Sequence, residues 1–225
     1  MKRLINQPVI TYLGQSGFLI EINGSRLLID PSNKESGEVD GNLLYCTHEH
    51  NDHTGGVDVF MERNPRAYFI CGEQTAAKFP RWAERVKVVR DGDSYTQGPW
   101  RLQVKFLRHG LFAGVQNLAV IVKTESFSFG HCGDAKEFPG FPMEPVDVLA
   151  IPIGGGFTAS PKKAVKMVEN LGEPLPIIVP IHWLFRNPTS FCEKVHQKVN
   201  KIRCIVPKVG EQLPLMSDGR HLSHS

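Results

Sequence analysis

A chain of 225 residues with 41% apolar content has the material for one large domain with a buried core and is too short for several. Its 26 basic and 23 acidic residues leave a formal charge of +3 with no Lys/Arg run, which argues against long nucleic acid or a membrane as partner. The start, Met1-Lys2-Arg3-Leu4-Ile5-Asn6-Gln7-Pro8, lacks the apolar core of a secretion signal, and no stretch is apolar enough to span a bilayer; five cysteines without a Cys-x-x-Cys pair predict neither a disulfide framework nor a thiolate zinc site, so a reduced, cytoplasmic protein is expected.

In chain order, residues 9–13, 18–22 and 26–29 are short β-rich runs separated by Gly14-Gln15-Ser16-Gly17 and by Asn23-Gly24, a strong hairpin signal. They predict an antiparallel meander whose third strand ends at Asp30-Pro31, an acid placed either to cap a turn or to brace a neighbouring loop. Residues 32–42 are polar and Gly-containing and predict a loop, followed by a strand over 43–46. After His53, the spacing of Val57, Phe60 and Met61 predicts a helix with one buried face. Strands over 67–71 and 86–89 flank a short helix over 73–79 that Pro80 stops.

Further strands are predicted over 100–107, 118–122, 126–129, 146–151 and 177–181, with a last one over 203–206. Ser160-Pro161 reads as an N-cap with proline at the first helical position, and Ala164, Val165, Val168 and Leu171 mark the buried face of the helix. Asn187-Pro188 opens a second helix, with Phe191, Val195 and Val199 inward. The domain is expected to cover 1–215, with 216–225 as a loose tail in which His221 and His224 are solvated.

The densest chemistry is Thr47-His48-Glu49-His50-Asn51-Asp52-His53, directly after the strand over 43–46. In an open loop His48 and His50 can point together at one ion while Asp52 and His53 turn toward a second, and imidazole with carboxylate suits Zn, Mn or Fe. Three other strands deliver ligand-type residues at their ends: His109, Asp134 in Gly130-His131-Cys132-Gly133-Asp134, and His182. Singly, each is more often structural; together and in this order they read as one site.

This order and spacing, from Asp30 to His182, resembles the metallo-β-lactamase superfamily, and the His-x-His-x-Asp-His motif matches at every defining position. The resemblance implies an α+β fold: a four-layer αβ/βα sandwich of two mixed sheets flanked by helices. It implies that His48, His50 and His109 hold a first metal, that Asp52, His53 and His182 hold a second, that Asp134 bridges them, and that Asp30 supports the motif loop. The Gly-x-Ser-Gly turn, Gly133-Asp134, the Pro-Ile-Gly-Gly run and the closing Pro-Ile-His most resemble the compact branch that includes ascorbate-6-phosphate lactonases. Many members of that branch carry His where this chain has Gln15.

The expected function is a binuclear metal-dependent hydrolase using two divalent ions, Zn first and Mn or Fe as alternatives, with a metal-bridging hydroxide oriented by Asp52. The bond would be a small ester, in a lactone, phosphoester or phosphodiester, and the partner a small-molecule substrate, with homo-oligomerisation open. His131 is a candidate leaving-group acid, with a hydrogen-bonding role beside the site as its equal alternative. Cys132 reads as buried filler, and Trp183, Phe185 and Arg186 as either a substrate-binding rim or ordinary core and surface. The Gly154-Gly155-Gly156 turn could hold an anion with Lys162 or Lys163, though a plain connecting turn is the commoner meaning. Rivals are a nuclease-type phosphodiesterase acting on RNA, DNA or a cyclic nucleotide, and a non-catalytic metal-binding scaffold or sensor.

Overall fold

The computed structural model of the chain describes residues 8–110, 114–183 and 185–215, so the expected tail and the first seven residues lie outside the described residues. The first sheet takes its strands in sequence order: β1 (Val9–Gly14), β2 (Gly17–Ile22), β3 (Ser25–Ile29), β4 (Leu43–Cys46), β5 (Tyr68–Cys71) and β6 (Val86–Val88). The predicted meander is antiparallel from β1 to β3, and parallel pairing takes over from β3 onward. Between these strands lie α1 (Lys34–Gly37), α2 (Asn51–Thr54), α3 (Val57–Arg63) and α4 (Glu73–Lys78).

The second sheet contains β7 (Ser94–Gln97), β8 (Trp100–Phe106), β9 (Leu118–Lys123), β10 (Ser128–His131), β11 (Val148–Pro152), β12 (Ile177–Ile181) and β13 (Arg203–Cys204). Its spatial order runs from β13 to β7, antiparallel from β7 to β10 and parallel from β10 to β13, with α5 (Pro161–Glu169) and α6 (Pro188–Lys198) after β11 and β12.

Side-chain alternation creates the layers, because successive residues of a strand face opposite sides. Leu43 and Tyr45 of β4 face inward into a core shared with Val148 and Ala150 of β11, while Leu44 and Cys46 pack outward against Val57, Phe60 and Met61 of α3. On the other side Leu149, Ile151 and Ile178 face Ala164 and Val168 of α5 and Phe191 and Val195 of α6. Covered on both faces, β4, β11 and β12 are buried along their whole lengths, which explains their continuous apolar runs. The architecture is the expected α+β sandwich of two mixed sheets flanked by helices.

Four details depart from the sequence expectations. The strand β7 was not foreseen, because Ser-Tyr-Thr-Gln is polar and forms an exposed edge paired only with β8. One-turn helices α1 and α2 stand where a loop and the motif were expected. The strand expected over 126–129 lies instead at Ser128–His131, which places His131 inside the sheet, opposite Val120 and Ala150. Finally, Cys192 and Cys204 form a disulfide, against the expectation of none. The chain turns back from α6 into β13 and brings their Cα atoms to 5.3 Å, a proximity that linear spacing does not reveal. Cys46, Cys71 and Cys132 are free and buried, and the cysteines no longer argue for a reducing compartment. No helix among the described residues is long and apolar enough to cross a membrane.

Candidate metal centre

All the candidate ligands emerge at one rim of the sandwich, where several strands of both sheets end. The loop after β4 supplies His48, His50, Asp52 and His53, and the segments after β8, β10 and β12 supply His109, Asp134 and His182. Ligand atoms of His48, His50, His109 and Asp134 lie within 4.8 Å of one another, and those of Asp52, His53 and His182 form a second such group. Asp134 adjoins both: its carboxylate is 3.9 Å from Nε2 of His48 and of His109, 3.3 Å from Nε2 of His53 and 3.1 Å from Nε2 of His182.

Hydrogen bonds on the far side of the rings determine which nitrogen faces the centre. Asp30, fully buried at the end of β3, accepts from the Thr47 backbone N–H and from Thr47 Oγ1, both at 2.7 Å. With its proton given to Asp30, the Thr47 hydroxyl accepts from His48 Nδ1–H at 3.1 Å. His53 Nδ1–H donates to Asp30 Oδ2 at 2.8 Å, and His109 Nδ1–H to the Phe157 carbonyl at 3.2 Å. Each ring therefore turns Nε2 toward Asp134, in the arrangement that orients metal-binding histidines. The sequence reading anticipated a bracing role for Asp30 but not the Thr47 hydroxyl that extends its reach.

Asp134 is fixed by a residue that the sequence reading passed over. Asn117, fully buried, accepts from the Asp134 N–H at 2.9 Å and donates to the Leu107 and Cys132 carbonyls. Gly133 makes this possible with φ +55°; a Cβ there would lie 2.2 Å from Asn117 Oδ1. A polar residue just before the strand over 118–122 looks like an ordinary turn residue, and only the fold shows what it touches.

The ordinary hydrogen-bond requirements of this centre are not met by protein atoms. Nε2 of His48 is buried without a hydrogen-bond partner, an expensive condition for a polar atom, and Nε2 of His53 has only Oδ1 of Asp134, 3.3 Å away. Burial lowers the His48 and His109 pKa values, and neighbouring imidazoles add to the effect. Burial alone would lower His53 too, but the carboxylates of Asp134 and Asp30 outweigh it and hold the ring protonated well above the usual range. Likewise burial would raise Asp134, and the His53 and His182 rings overcome it. His182 is pushed up to about 9: hydrogen bonds to Asp134 and Asp52 exceed the opposing effect of burial. Protons thus sit between nitrogen and carboxylate where bound cations would supply the charge, and the His and Asp donor set fits Zn, Mn or Fe.

His131 sits apart from the lining of the rim cavity. It is fully buried, its Nε2–H donates to the Ser16 carbonyl at 2.9 Å, and its Nδ1 accepts from the Gly133 N–H at 3.0 Å. Of its two expected roles, these contacts match the hydrogen-bonding one, because neither nitrogen is free to give a proton to a leaving group. Gln15, at φ +52°, donates from Nε2 to Asp52 Oδ2 at 3.0 Å, and its carbonyl accepts from the His182 N–H. Trp183 packs into the core 5.9 Å from Tyr12, whereas Phe185 is fully exposed. Lys163 pairs with Glu137 and, like Lys162, does not line the cavity, although Gly154, Gly155 and Gly156 do. Cys132 is buried in the outer core, as filler.

A cavity of about 740 Å³ opens over the centre, with His50, Asp52, His109, Asp134 and His182 on its floor. Residues 9–182 match the family described as "Beta-lactamase superfamily domain". Among curated proteins, a UPF0173 metal-dependent hydrolase from Aeropyrum pernix is 32% identical, covering 90% of this chain and 95% of the relative. Among solved structures, Igni18, a metallo hydrolase from the archaeon Ignicoccus hospitalis, superposes with a TM-score of 0.79 at 20% identity over 92% of this chain and 97% of that one. The metallo-beta-lactamase fold protein YhfI from Bacillus subtilis reaches 0.77 at 14% identity, covering 92% and 99%.

Proposed function

The chain belongs to the β-lactamase superfamily, and from that premise we propose that it is a metal-dependent hydrolase with a binuclear centre, cleaving a small ester-like bond. The observation that carries this reading is the convergence of two ligand groups on Asp134, with the buried Nε2 of His48 left without a hydrogen bond. His48, His50 and His109 would hold one ion, Asp52, His53 and His182 the other, with Asp134 shared. Bound there, divalent ions supply water of lowered pKa, polarise the substrate oxygen and neutralise charge in the transition state.

The protein's own contribution is placement. Asp30 and Thr47 hold two of the imidazoles, Phe157 O a third, and Asn117 the shared carboxylate. Asp52, half-buried and held by Gln15 and His182, lines the cavity, where it would orient a nucleophilic water. A lactone or a phosphoester of modest size suits a cavity of about 740 Å³, within the range of small-molecule sites.

The test is metal content by elemental mass spectrometry, with turnover on a panel of lactones and phosphodiesters. Wild type is expected to carry two ions per chain. Asp134→Ala is expected to lose metal and to lower turnover by more than the roughly 10- to 100-fold typical of disturbing a ligand's support. Wild-type metal content and turnover in the variant would refute the reading.

A further inference from the structure

Arg186 is the one Lys or Arg side chain in the cavity lining among the described residues, and the metal centre does not use it. Its position follows from local structure. The Arg186 N–H donates to the Trp183 carbonyl at 2.7 Å, folding the chain into a turn directly after His182. The side chain then crosses to the segment after β11, where Nε donates to the Gly154 carbonyl at 3.3 Å. The guanidinium lies against Gly155, whose φ is +76°; a Cβ at that position would sit 3.3 Å from Nη2 and 3.6 Å from Nε. The absence of a side chain at Gly155 therefore lets the planar group settle along the turn.

One edge of the guanidinium is thus occupied, and the rest has no partner among the described residues. Arg186 forms no ion pair among the described residues, whereas Lys163 and Arg108 are both paired with Glu137. Lys136 reaches the same turn from outside, donating to the Gly156 carbonyl, and does not line the cavity. Val115 and Phe157 give the cavity an apolar wall, and Phe157 is 66% exposed. The two carboxylates among the seven metal-centre residues would leave the charge of two divalent ions only half neutralised, so the cavity potential favours an anion.

We propose that the substrate carries, besides its scissile bond, a separate anionic group, a carboxylate or a phosphate, and that Arg186 binds it. This rests on the hydrolase reading for what happens at the metals, and it names the substrate class: a small anionic ester with a short apolar segment between its two ends. The free guanidinium nitrogens can receive two oxygens of such a group in parallel, which a lysine cannot do with the same geometry. The turn at Gly154, Gly155 and Gly156 contributes by shaping the seat of the arginine, and the positive charge comes from Arg186 rather than from Lys162 or Lys163.

The experiment is calorimetric binding to the metal-loaded protein of straight-chain α,ω-dicarboxylates of four to seven carbons, each against the monocarboxylate of equal length, in wild type and Arg186→Gln. One carboxylate of each probe can occupy the metal centre, so the comparison isolates the second. At least one dicarboxylate is expected to bind wild type about tenfold tighter than its monocarboxylate, an advantage of the size assigned to charge-assisted hydrogen bonds. That advantage is expected to disappear in Arg186→Gln with monocarboxylate affinity unchanged. Replacing the distal carboxylate by a phosphonate shows which anion is preferred. No advantage in wild type, or an advantage that survives in Arg186→Gln, overturns the proposal. Because binding is read separately from turnover, dicarboxylate selectivity that tracks Arg186 while no ester is cleaved would sink the hydrolase reading and leave only the anion-binding role of Arg186 standing. Ester cleavage with unchanged selectivity in Arg186→Gln would do the reverse.

Discussion

At the scale of single residues, His131 is a titratable group with both ring nitrogens engaged by backbone groups inside the fold. Burial lowers its pKa from the usual 6.5, and its Nδ1 must remain unprotonated to accept from the Gly133 N–H. The folded state therefore refuses a proton that the unfolded chain accepts. Stability from this group is fully present above about pH 6.5 and is lost as pH falls from there toward the depressed folded value. Other histidines titrate as well, so the comparison must be made between proteins differing only at this position. The stability advantage of wild type over His131→Gln, from urea unfolding, is expected to shrink between pH 7 and pH 5; an advantage constant across that range would show that His131 is not held neutral. The sequence offers this role beside that of a leaving-group acid but not the partner, since the Ser16 carbonyl is 115 residues away in the chain. The metal-type residues, by contrast, were legible because their side chains are chemically distinctive and four of them are packed into His48 to His53.

At the scale of elements, legibility followed apolar burial. The strands β4, β11 and β12 are buried on both faces and leave continuous apolar runs. The edge strand β7 and the end of β10 leave none, because Gly130 and His131 resemble a turn and a ligand rather than a strand. Helix starts were legible through their caps. Ser160 accepts from the Lys163 N–H, and Asn187 accepts from the Thr189 and Ser190 N–H groups at 2.9 and 3.2 Å, each ahead of a proline at the first helical turn. Asn187→Ala removes two acceptor contacts from an exposed helix end and should cost about 1 kcal/mol of unfolding free energy, as such caps generally do. Since the cap residue directly follows Arg186, the same variant should leave metal content unchanged while weakening dicarboxylate binding. Unchanged stability in chemical denaturation would mean that packing of Phe191 and Val195, rather than the cap, defines where α6 starts.

At the scale of the whole molecule, the centre joins the two sheets. His48, His50, Asp52 and His53 leave the first sheet after β4, while His109, Asp134 and His182 leave the second. Direct hydrogen bonds cross the same seam: the Leu118 N–H donates to the Thr47 carbonyl at 2.8 Å, Tyr45 Oη to the Leu118 carbonyl at 2.9 Å and the His182 N–H to the Gln15 carbonyl at 3.0 Å. Without cations, the rim is held partly by protons shared between imidazoles and Asp134, an arrangement whose charge depends on pH. Ions bound by ligands from both sheets would be lost on unfolding, so their binding free energy adds to stability. A site saturated at 100 times its Kd contributes about 2.7 kcal/mol when the unfolded chain has no affinity. Metal-loaded protein should therefore exceed chelator-treated protein in unfolding free energy by at least that amount, whereas Asp134→Ala should show little difference between the two conditions. Hydrogen exchange locates the effect: added metal should protect amides of the loop after β4 and of the segment around Asp134 together, because one ion restrains both. Protection confined to one sheet would mean that the ions bind at the rim without clamping it, and the stability gain would then have to arise within a single layer.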